Sequence, residues 1–375
     1  MLPVLIAFGQ PFPEINIVIP KGSQRQLEQS TESGYPLVKP VLMFNGYAVP
    51  VKKIHTRGKS SIQFSHKSLA IELKEDISFG TGEQSRSLNQ FDLLNLAMDK
   101  DLWHNRWAYM MMDSLGIFPL YSTYCKLKIN GEPQGIYLLV EKPVHAAKRL
   151  ESPYMVRRGM EGAVDGEHAW KTPADSVKKF RRMYQSVYRA PGLPDGASYL
   201  TRLEGALETQ SYFRWMAFNY LVMNGDYSDE VFLYIRPASG KFAVIPWDYD
   251  DIFRAAPHEG LAARSQTLNH RLVFSVEDPL DKAIASNDML YQHYLSEFRA
   301  TLMMMSERLI RDSFQVVQNE LTGLAEDREI ASSSLYIGKE PFTLEAAIIG
   351  IQKAEAFLLS RILTTKKDLE SAVIK

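Results

Sequence analysis

Hydrophobic residues alternate with polar ones over much of residues 13–75, which is the pattern of half-buried β-strands. Ile15, Ile17 and Ile19 occupy every second position. Asn45-Gly46 separates two short apolar runs, and this residue pair favours a tight hairpin turn. The strand-like segments are residues 13–19, Pro40–Tyr47, Ala48–His55 and Ser68–Leu73. The pattern therefore predicts a β-rich N-terminal part.

The pattern then changes twice before residue 141. Residues 75–90 are polar and contain glycine, which predicts a loop. Apolar positions from Asn89 to Leu115 follow helical spacing, and Gly116 is a typical residue for the end of such a helix. Two apolar runs around the turn-forming segment Asn130–Gly135 then predict a hairpin.

Helical spacing dominates the remainder of the chain. One further hairpin is predicted, with strands at Glu230–Arg236 and Lys241–Trp247. The predicted helices are Val177–Arg189, Gln210–Asn224, Asp281–Glu320 and Thr343–Lys375. The chain thus reads as an α+β fold, with a β-rich N-terminal lobe over residues 1–141 and a mostly helical lobe over residues 142–375.

Composition excludes several classes of protein. The 375 residues carry a formal net charge of −1, so no overall positive field favours binding to nucleic acid or to a membrane surface. Cys125 is the only cysteine, which excludes an intrachain disulfide. No apolar run is long enough to span a membrane. The short apolar segment Leu2–Gly9 fits either the end of a cleaved signal peptide or a first strand.

Acidic residues concentrate at both ends of the 230–247 hairpin sequence. With the turn centred on Ala238-Ser239, residue 229 faces residue 248 and residue 230 faces residue 247, so both acidic segments leave the same end of the hairpin. The six carboxylates are Asp226, Asp229, Glu230, Asp248, Asp250 and Asp251. Oxygen ligands of this kind suit Mg²⁺ or Mn²⁺, although acidic strand ends are also common where they only face water.

A basic segment in the N-terminal part is the second candidate for chemistry. Lys52 to Ser61 interleaves cations with glycine and serine, and Lys67 follows shortly after. Such a loop can surround an anion, because glycine allows close backbone approach and the hydroxyls and cations donate hydrogen bonds. An exposed basic loop without a ligand is the alternative. The spacing of a Walker phosphate-binding loop is absent.

The order of these parts is similar to the order in kinases, although the standard protein-kinase motifs are absent from the sequence. A basic site on β-structure is followed by a helix, a hairpin, an acidic residue, a short hairpin and a second acidic residue. The sequence also lacks the zinc-protease and α/β-hydrolase motifs.

Several short motifs in this order resemble those of the CotH kinases, atypical kinases named for spore-coat protein H. The resemblance extends over about residues 15–255. Its motifs are Arg57-Gly58-Lys59-Ser60-Ser61, Lys67-Ser68, Leu94-Asn95 to Asp99 with Asn105, Asn130-Gly131 to Glu141, Asn224-Gly225-Asp226 and Trp247-Asp248-Tyr249-Asp250. It implies a bilobal fold like that of protein kinases, which binds ATP with Mg²⁺ or, alternatively, Mn²⁺ between the lobes.

The resemblance also implies roles for individual residues. Lys67 would reach the ATP phosphates, and Arg57 would hold the basic loop or contact phosphate. Ser60 and Ser61 belong to the same nucleotide-binding loop. Glu141 would lie near the adenine-binding hinge. Asp226 matches the catalytic-loop aspartate, as base or metal ligand; Asp248 matches the metal-binding aspartate, with Glu230 and Asp250 as further ligands.

The sequence departs from the family pattern at several of these positions. Lys59, His66 and Glu230 replace residues that are usually Asn, Lys and Asn in the family, and Glu230 would supply an oxygen ligand in place of that Asn. The first hypothesis is therefore a kinase that phosphorylates protein Ser/Thr. The alternatives are an inactive scaffold or coat protein on the same fold, and a metal-dependent phosphoester hydrolase. The family favours an exported location (periplasm, cell surface or spore coat), with a cytoplasmic one still open.

Overall fold

The computed structural model describes residues 12–80, 85–99, 101–188, 196–268, 271–332, 336–337 and 340–371. The apolar segment Leu2–Gly9 lies outside these ranges, as does the predicted helix end at Arg189. In the described part of the chain, strands and helices are mixed, which confirms the α+β class. No helix in these ranges is long and apolar enough to cross a membrane.

Fourteen strands and twelve α-helices are described. The strands are β1 Glu14–Val18, β2 Val41–Phe44, β3 Tyr47–Val49, β4 Val51–Arg57, β5 Ser68–Phe79, β6 Arg86–Leu94, β7 Ser122–Ile129, β8 Glu132–Glu141, β9 Tyr154–Arg158, β10 Val164–Ala169, β11 Val231–Arg236, β12 Lys241–Pro246, β13 Tyr336–Ile337 and β14 Glu340–Pro341. The helices are α1 Lys21–Gln29, α2 His104–Ser114, α3 Pro143–Arg149, α4 Ala174–Tyr188, α5 Gly196–Ala206, α6 Thr209–Val222, α7 Gly260–Leu268, α8 Pro279–Ser286, α9 Asp288–Met304, α10 Glu307–Ala325, α11 Arg328–Ser332 and α12 Leu344–Ser371.

The first eight strands form one sheet in the order β3-β2-β1-β7-β8-β6-β5-β4. β1 runs parallel to β7, and the other neighbours are antiparallel. Ile15, Ile17 and Ile19 are buried in the core of this sheet, as their alternation predicts. Burial of one face of β1 is what fixes its register, since a shift by one residue would turn all three isoleucines outward.

Two Asn-Gly pairs make two-residue hairpin turns, as predicted. Asn45 and Gly46 have φ angles of 47° and 85° and join β2 to β3; Asn130 and Gly131 have φ angles of 53° and 84° and join β7 to β8. Positive φ at both positions requires residues that tolerate the left-handed region, which Asn and Gly do. The second turn is shorter than the predicted segment Asn130–Gly135, because β8 already begins at Glu132.

The prediction for residues 75–115 is wrong in part. β5 continues to Phe79 and β6 occupies Arg86–Leu94, where a loop and the start of a helix were expected. The helix, α2, begins only at His104, where the buried Asp99 carboxylate accepts hydrogen bonds from the backbone N–H groups of His104 (3.0 Å) and Asn105 (2.9 Å). Helix α1 was not predicted at all. The predicted helix end at Gly116 is confirmed by its φ of 64°.

The second sheet has four strands in the order β10-β9-β11-β12. β11 and β12 form the predicted hairpin, and their pairing runs from Arg236↔Lys241 to Val231↔Pro246. The register is the predicted one. Helix α6, which precedes β11, is buried over most of its length and contributes Trp215 to the core.

The described chain divides into two compact units. The first comprises residues 1–110, 120–145 and 312–352, and the second comprises residues 111–119, 146–311 and 353–375. Residues 312–352 lie within the predicted C-terminal lobe, residues 142–375, but they group with the N-terminal sheet in the first unit. Within the first unit Phe314 stacks on Trp107 with ring centroids 4.6 Å apart, so α10 contributes Phe314 to that core.

Candidate functional site

The acidic segments meet at the open end of the β11–β12 hairpin, in the second unit. The Trp247 N–H donates to the Glu230 carbonyl (3.0 Å), which extends the ladder one residue beyond the strands. The segments 226–230 and 248–251 therefore leave the sheet side by side, as the predicted register requires. Asp248 begins the second segment in the left-handed region (φ 48°), a conformation that Asp tolerates better than most residues.

Backbone hydrogen bonds hold the two segments together. The Gly225 N–H donates to the Asp251 carbonyl (2.9 Å), and the His258 N–H donates to the Gly225 carbonyl (3.2 Å). A Cβ at Gly225 would collide with Oδ2 of Asp251, so a larger residue there would displace this side chain. The buried Asn224 side chain accepts a hydrogen bond from the Asp226 N–H (3.2 Å) and so fixes the turn into Asp226.

His258 lies between two of the carboxylates. Its Nδ1 is 3.2 Å from Oδ1 of Asp226, and its Nε2 is 3.3 Å from Oδ2 of Asp251. Arg254 also pairs with Asp251. Sequence reasoning missed both residues, since neither forms a recognisable motif with Asp226 and only the folding of residues 247–258 onto residues 222–225 brings them close.

Glu230 is engaged by an arginine of the neighbouring strand. Nη2 of Arg157 is 3.3 Å and 3.4 Å from the two carboxylate oxygens of Glu230. Arg157 lies on β9, which pairs with β11, and sequence reasoning missed it as well.

The segment 226–230 is also held from its buried side by Arg158. This fully buried guanidinium donates through Nε to the Ser228 carbonyl (2.6 Å) and through Nη1 to the Tyr212 hydroxyl (2.6 Å). Two buried carboxylates balance its charge, Asp278 at 3.4 Å and Asp281 at 3.9 Å. Removing Arg158 would leave two buried carboxylates without a balancing positive charge.

Burial and mutual repulsion raise the pKa values of the site carboxyls. Burial raises the pKa of Asp226 to about 6; His258 opposes this shift, while Asp229 and Asp251 add to it. Burial, together with the nearby charge of Asp248, raises the pKa of Glu230 to about 8, against the opposing effect of Arg157. Crowded carboxylates of this kind favour a bound cation.

The predicted metal ligands are not all brought together. In the ranges that the structure covers, no three His, Cys, Asp or Glu side chains are arranged to hold a metal ion. Among the contacts described, Asp226 and Asp251 meet at His258, Glu230 meets Arg157, and the charge of Asp248 lies near Glu230. The set Asp226, Asp248, Glu230 and Asp250 therefore stays a prediction.

The basic loop lies in the first unit and closes the β4–β5 hairpin. Arg57 pairs with Ser68 across the ladder, and the intervening loop contains a short 3-10 helix, Ser61–Gln63, with Ser60 at its N-cap. Gly58 has a φ of 103°, and a Cβ there would collide with Oγ of Ser61. The loop conformation thus depends on glycine at this position.

The cations of this region already have partners within the protein. The largely buried Lys67 donates from Nζ to the Ile62 carbonyl (2.7 Å), and burial lowers its pKa. Nε of Arg57 is 3.2 Å from the Asp92 carboxylate, and Lys142 approaches the same carboxylate at 3.7 Å. Asp92 and Lys142 were not identified from the sequence.

Glu141 is fully buried at the end of β8, and its carboxylate is 2.8 Å from Nδ1 of His145. Its side chain is therefore enclosed within the first unit.

The fold and the two candidate sites define the class of the protein. It is an α+β chain with a basic glycine–serine loop on one hairpin and paired acidic segments on another. The model of the family described as CotH kinase protein matches residues 54–340, and the chain belongs to that family. It is by family a kinase-like protein. The match contains every residue that the sequence analysis assigned to a site.

Individual relatives are distant. The chain is 22% identical over 217 residues to inner spore coat protein H of Bacillus subtilis (strain 168), an alignment that covers 52% of this chain and 56% of that protein. The chain thus spans little more than half the length of this relative.

Two solved structures are similar in part. The Helicobacter pylori proinflammatory kinase CtkA gives a TM-score of 0.35 at 10% identity, covering 79% of this chain and 95% of that one. The Shewanella oneidensis MR-1 toxin–antitoxin complex of HipA, HipB and operator DNA gives 0.30 at 13% identity, covering 76% and 62%. With TM-scores this low, neither structure supplies a residue role for this chain.

Proposed function

We propose that the chain is an ATP-dependent kinase of the CotH type that uses Mg²⁺ and transfers the γ-phosphate to Ser or Thr of a protein. The observation that carries this proposal is the joining of segments 224–230 and 247–258 by backbone hydrogen bonds, within the range that the family model matches. This joining brings together the two acidic segments to which the resemblance assigns the base and the metal ligand.

The donor chemistry fits Mg²⁺. The ion is commonly held by one or two carboxylates together with substrate phosphates, so it does not need a complete cage of protein ligands. Asp226 and Asp248 would hold it, and when bound it would neutralise charge on the phosphate oxygens. Glu230 and Asp250 are the further predicted ligands.

Asp226 has the properties of a general base. Its raised pKa, near 6, makes the ionised carboxylate more basic than an ordinary aspartate while leaving it mostly ionised at neutral pH. His258 contacts the same carboxylate and can hold it in one orientation. The residue would accept the proton of the attacking Ser or Thr hydroxyl.

The nucleotide residues are proposed from the first unit. Arg57, Ser60, Ser61 and Lys67 would contact ATP, and Glu141, which is enclosed, would act through the backbone at the adenine side. Lys67 would have to direct one of its remaining N–H groups to phosphate, since one already serves the Ile62 carbonyl.

The second candidate is a scaffold or coat protein on the same fold. Two observations favour it: the Lys67 amine is turned into its own loop, and Glu230 is paired with Arg157. The relative from Bacillus subtilis is named as an inner spore coat protein. On either reading we propose an exported location, in a coat, at a cell surface or in a periplasm.

Calorimetry of ATP binding, with and without Mg²⁺, tests the kinase proposal. We expect Mg²⁺-dependent binding by the wild type and a loss of about tenfold or more in D248N, since a ligand carboxylate is removed. D226N should lose transfer from γ-labelled ATP to a Ser/Thr peptide library, and its Mg²⁺-dependent ATP binding should weaken as well, because Asp226 is also a proposed ligand.

D229N is the matched control, because it removes a carboxylate from the same segment that is not among the predicted ligands. Equal effects of D229N and D248N would indicate loss of general negative charge. Absence of ATP binding by the wild type would contradict the kinase proposal and favour the scaffold.

A further inference from the structure

Two adjacent arginines of β9 reach the acidic segment 226–230 from opposite faces of the sheet. Successive side chains of a strand alternate between its faces. Arg158 therefore points into the core, where it binds the Ser228 carbonyl, while Arg157 points the other way and contacts the Glu230 carboxylate. Arg157 is opposite Phe232 in the ladder, so Glu230 is its diagonal neighbour.

Arg157 is itself held in place. Its guanidinium lies over the Phe232 ring, 5.7 Å from the centroid, and its Nε is 3.6 Å from the Asp165 carboxylate of β10. Three strands thus restrict where this cation can go. Its side chain is only 26% exposed, so the pair with Glu230 is less weakened by solvent than an open surface pair.

Both oxygens of Glu230 lie within 3.4 Å of one guanidinium nitrogen. A carboxylate engaged in this way has lost much of its capacity to bind a metal, and the arginine charge repels a second cation at short range. We propose that Arg157 is a positioning residue and that Glu230 acts as a strut fixing segment 226–230, not as a ligand of the cation. This inference rests on the proposed function and narrows its ligand set.

Measuring metal affinity in the absence of turnover shows whether Glu230 fixes the segment or binds the cation. We would titrate Mn²⁺ by electron paramagnetic resonance into the wild type, E230Q and D248N. E230Q should stay within about twofold of the wild-type affinity, whereas D248N should lose about tenfold or more. A loss in E230Q equal to that in D248N would overturn the inference.

A double-mutant cycle tests the positioning role. R157Q breaks the contact that fixes segment 226–230, so kcat should fall by about tenfold while the KM for ATP stays within about twofold. R157Q/E230Q should lose little more than R157Q alone, because both substitutions break the same contact. R157K should be intermediate, since lysine restores charge but not the planar guanidinium. R311Q, which alters an exposed arginine paired with Glu307, is the control.

The melting temperatures of the wild type, R157Q, E230Q and R157Q/E230Q test the contact between Arg157 and Glu230 independently of activity. The shift of R157Q/E230Q should be smaller than the sum of the single shifts, each about 2–4 °C. Additive shifts would overturn the inference. A wild type that binds no ATP would instead remove the proposed function, while non-additive shifts would still establish Arg157 as the residue that holds Glu230.

Discussion

The Arg158 guanidinium shares its buried site with two carboxylates, so the cluster carries an excess negative charge if both ionise. Burial raises the pKa of Asp281 to about 7, with Arg158 opposing the shift and Asp278 adding to it. The folded protein therefore keeps a proton on this residue at pH values where the unfolded chain has released it. The resulting stabilisation is complete below about pH 4 and is lost as pH rises through 7.

D281N removes this pH dependence of stability while keeping an acceptor for the Tyr212 hydroxyl. Between pH 5 and pH 8, the free energy of unfolding of D281N relative to the wild type should rise by about 1–3 kcal/mol. Urea unfolding at the two pH values measures it. D175N, at an exposed position of α4, should show no such change. Parallel pH profiles for D281N and the wild type would contradict the assignment.

The residues of the site differ in how far sequence could predict them. The positions of Asp226, Glu230 and Asp248 along the hairpin follow from turn length, because a four-residue turn fixes every pair in the ladder. His258 and Arg157 could not be inferred in this way. Their contacts depend on a loop that folds back and on a strand about 70 residues away, and nothing in local spacing encodes either.

At the scale of elements, an ion pair within the first unit joins α2 to α10. Nε and Nη2 of Arg106 donate to the two carboxylate oxygens of Glu320 at 2.9 Å and 2.7 Å. Both side chains are largely shielded from water, and the paired geometry makes this one of the stronger kinds of polar contact.

E320Q should therefore lower the free energy of unfolding by about 1.5–3 kcal/mol. Chemical denaturation monitored by tryptophan fluorescence is suitable, since Trp107 stacks on Phe314 of α10. The matched control is E307Q, which alters an exposed pair with Arg311 and should cost less than about 0.5 kcal/mol. Equal losses of unfolding free energy in the two variants would show that the α2–α10 pair stabilises the protein no more than an exposed pair does.

Elements at the centre of the large sheet were the hardest to predict. β6 lies between β8 and β5, and Leu88, Phe91, Leu93 and Leu94 are all buried. A strand covered on both faces loses its alternation, so its apolar residues also match helical spacing. β1 was easier to predict because its apolar residues alternate with polar ones. β11 and β12 were easier to predict because turn residues separate them.

At the scale of the whole molecule, residues 312–352 complete the first unit although most of the second unit precedes them in the chain. A protein ended after Arg311 should lose hydrogen-exchange protection in β6, β8 and α2, by about tenfold or more. A protein ended after Gln352 should keep protection there and lose it in α6, whose Tyr220 carbonyl accepts two hydrogen bonds from Arg361.

Hydrogen exchange followed by mass spectrometry distinguishes the two losses by their location. Equal protection of β6 and α2 in both shortened proteins would contradict the assignment of residues 312–352 to the first unit.

Because residues 312–352 belong to the first unit, this unit cannot be completed until late in translation. A nascent chain usually folds its N-terminal domain while later residues are still being added, at about 5–20 residues per second. Here the N-terminal sheet must wait for α10, so it emerges incomplete and stays so while residues 146–311 are translated. During that interval, lasting on the order of ten seconds or more, its exposed strand edges are open to chaperones and to other nascent chains.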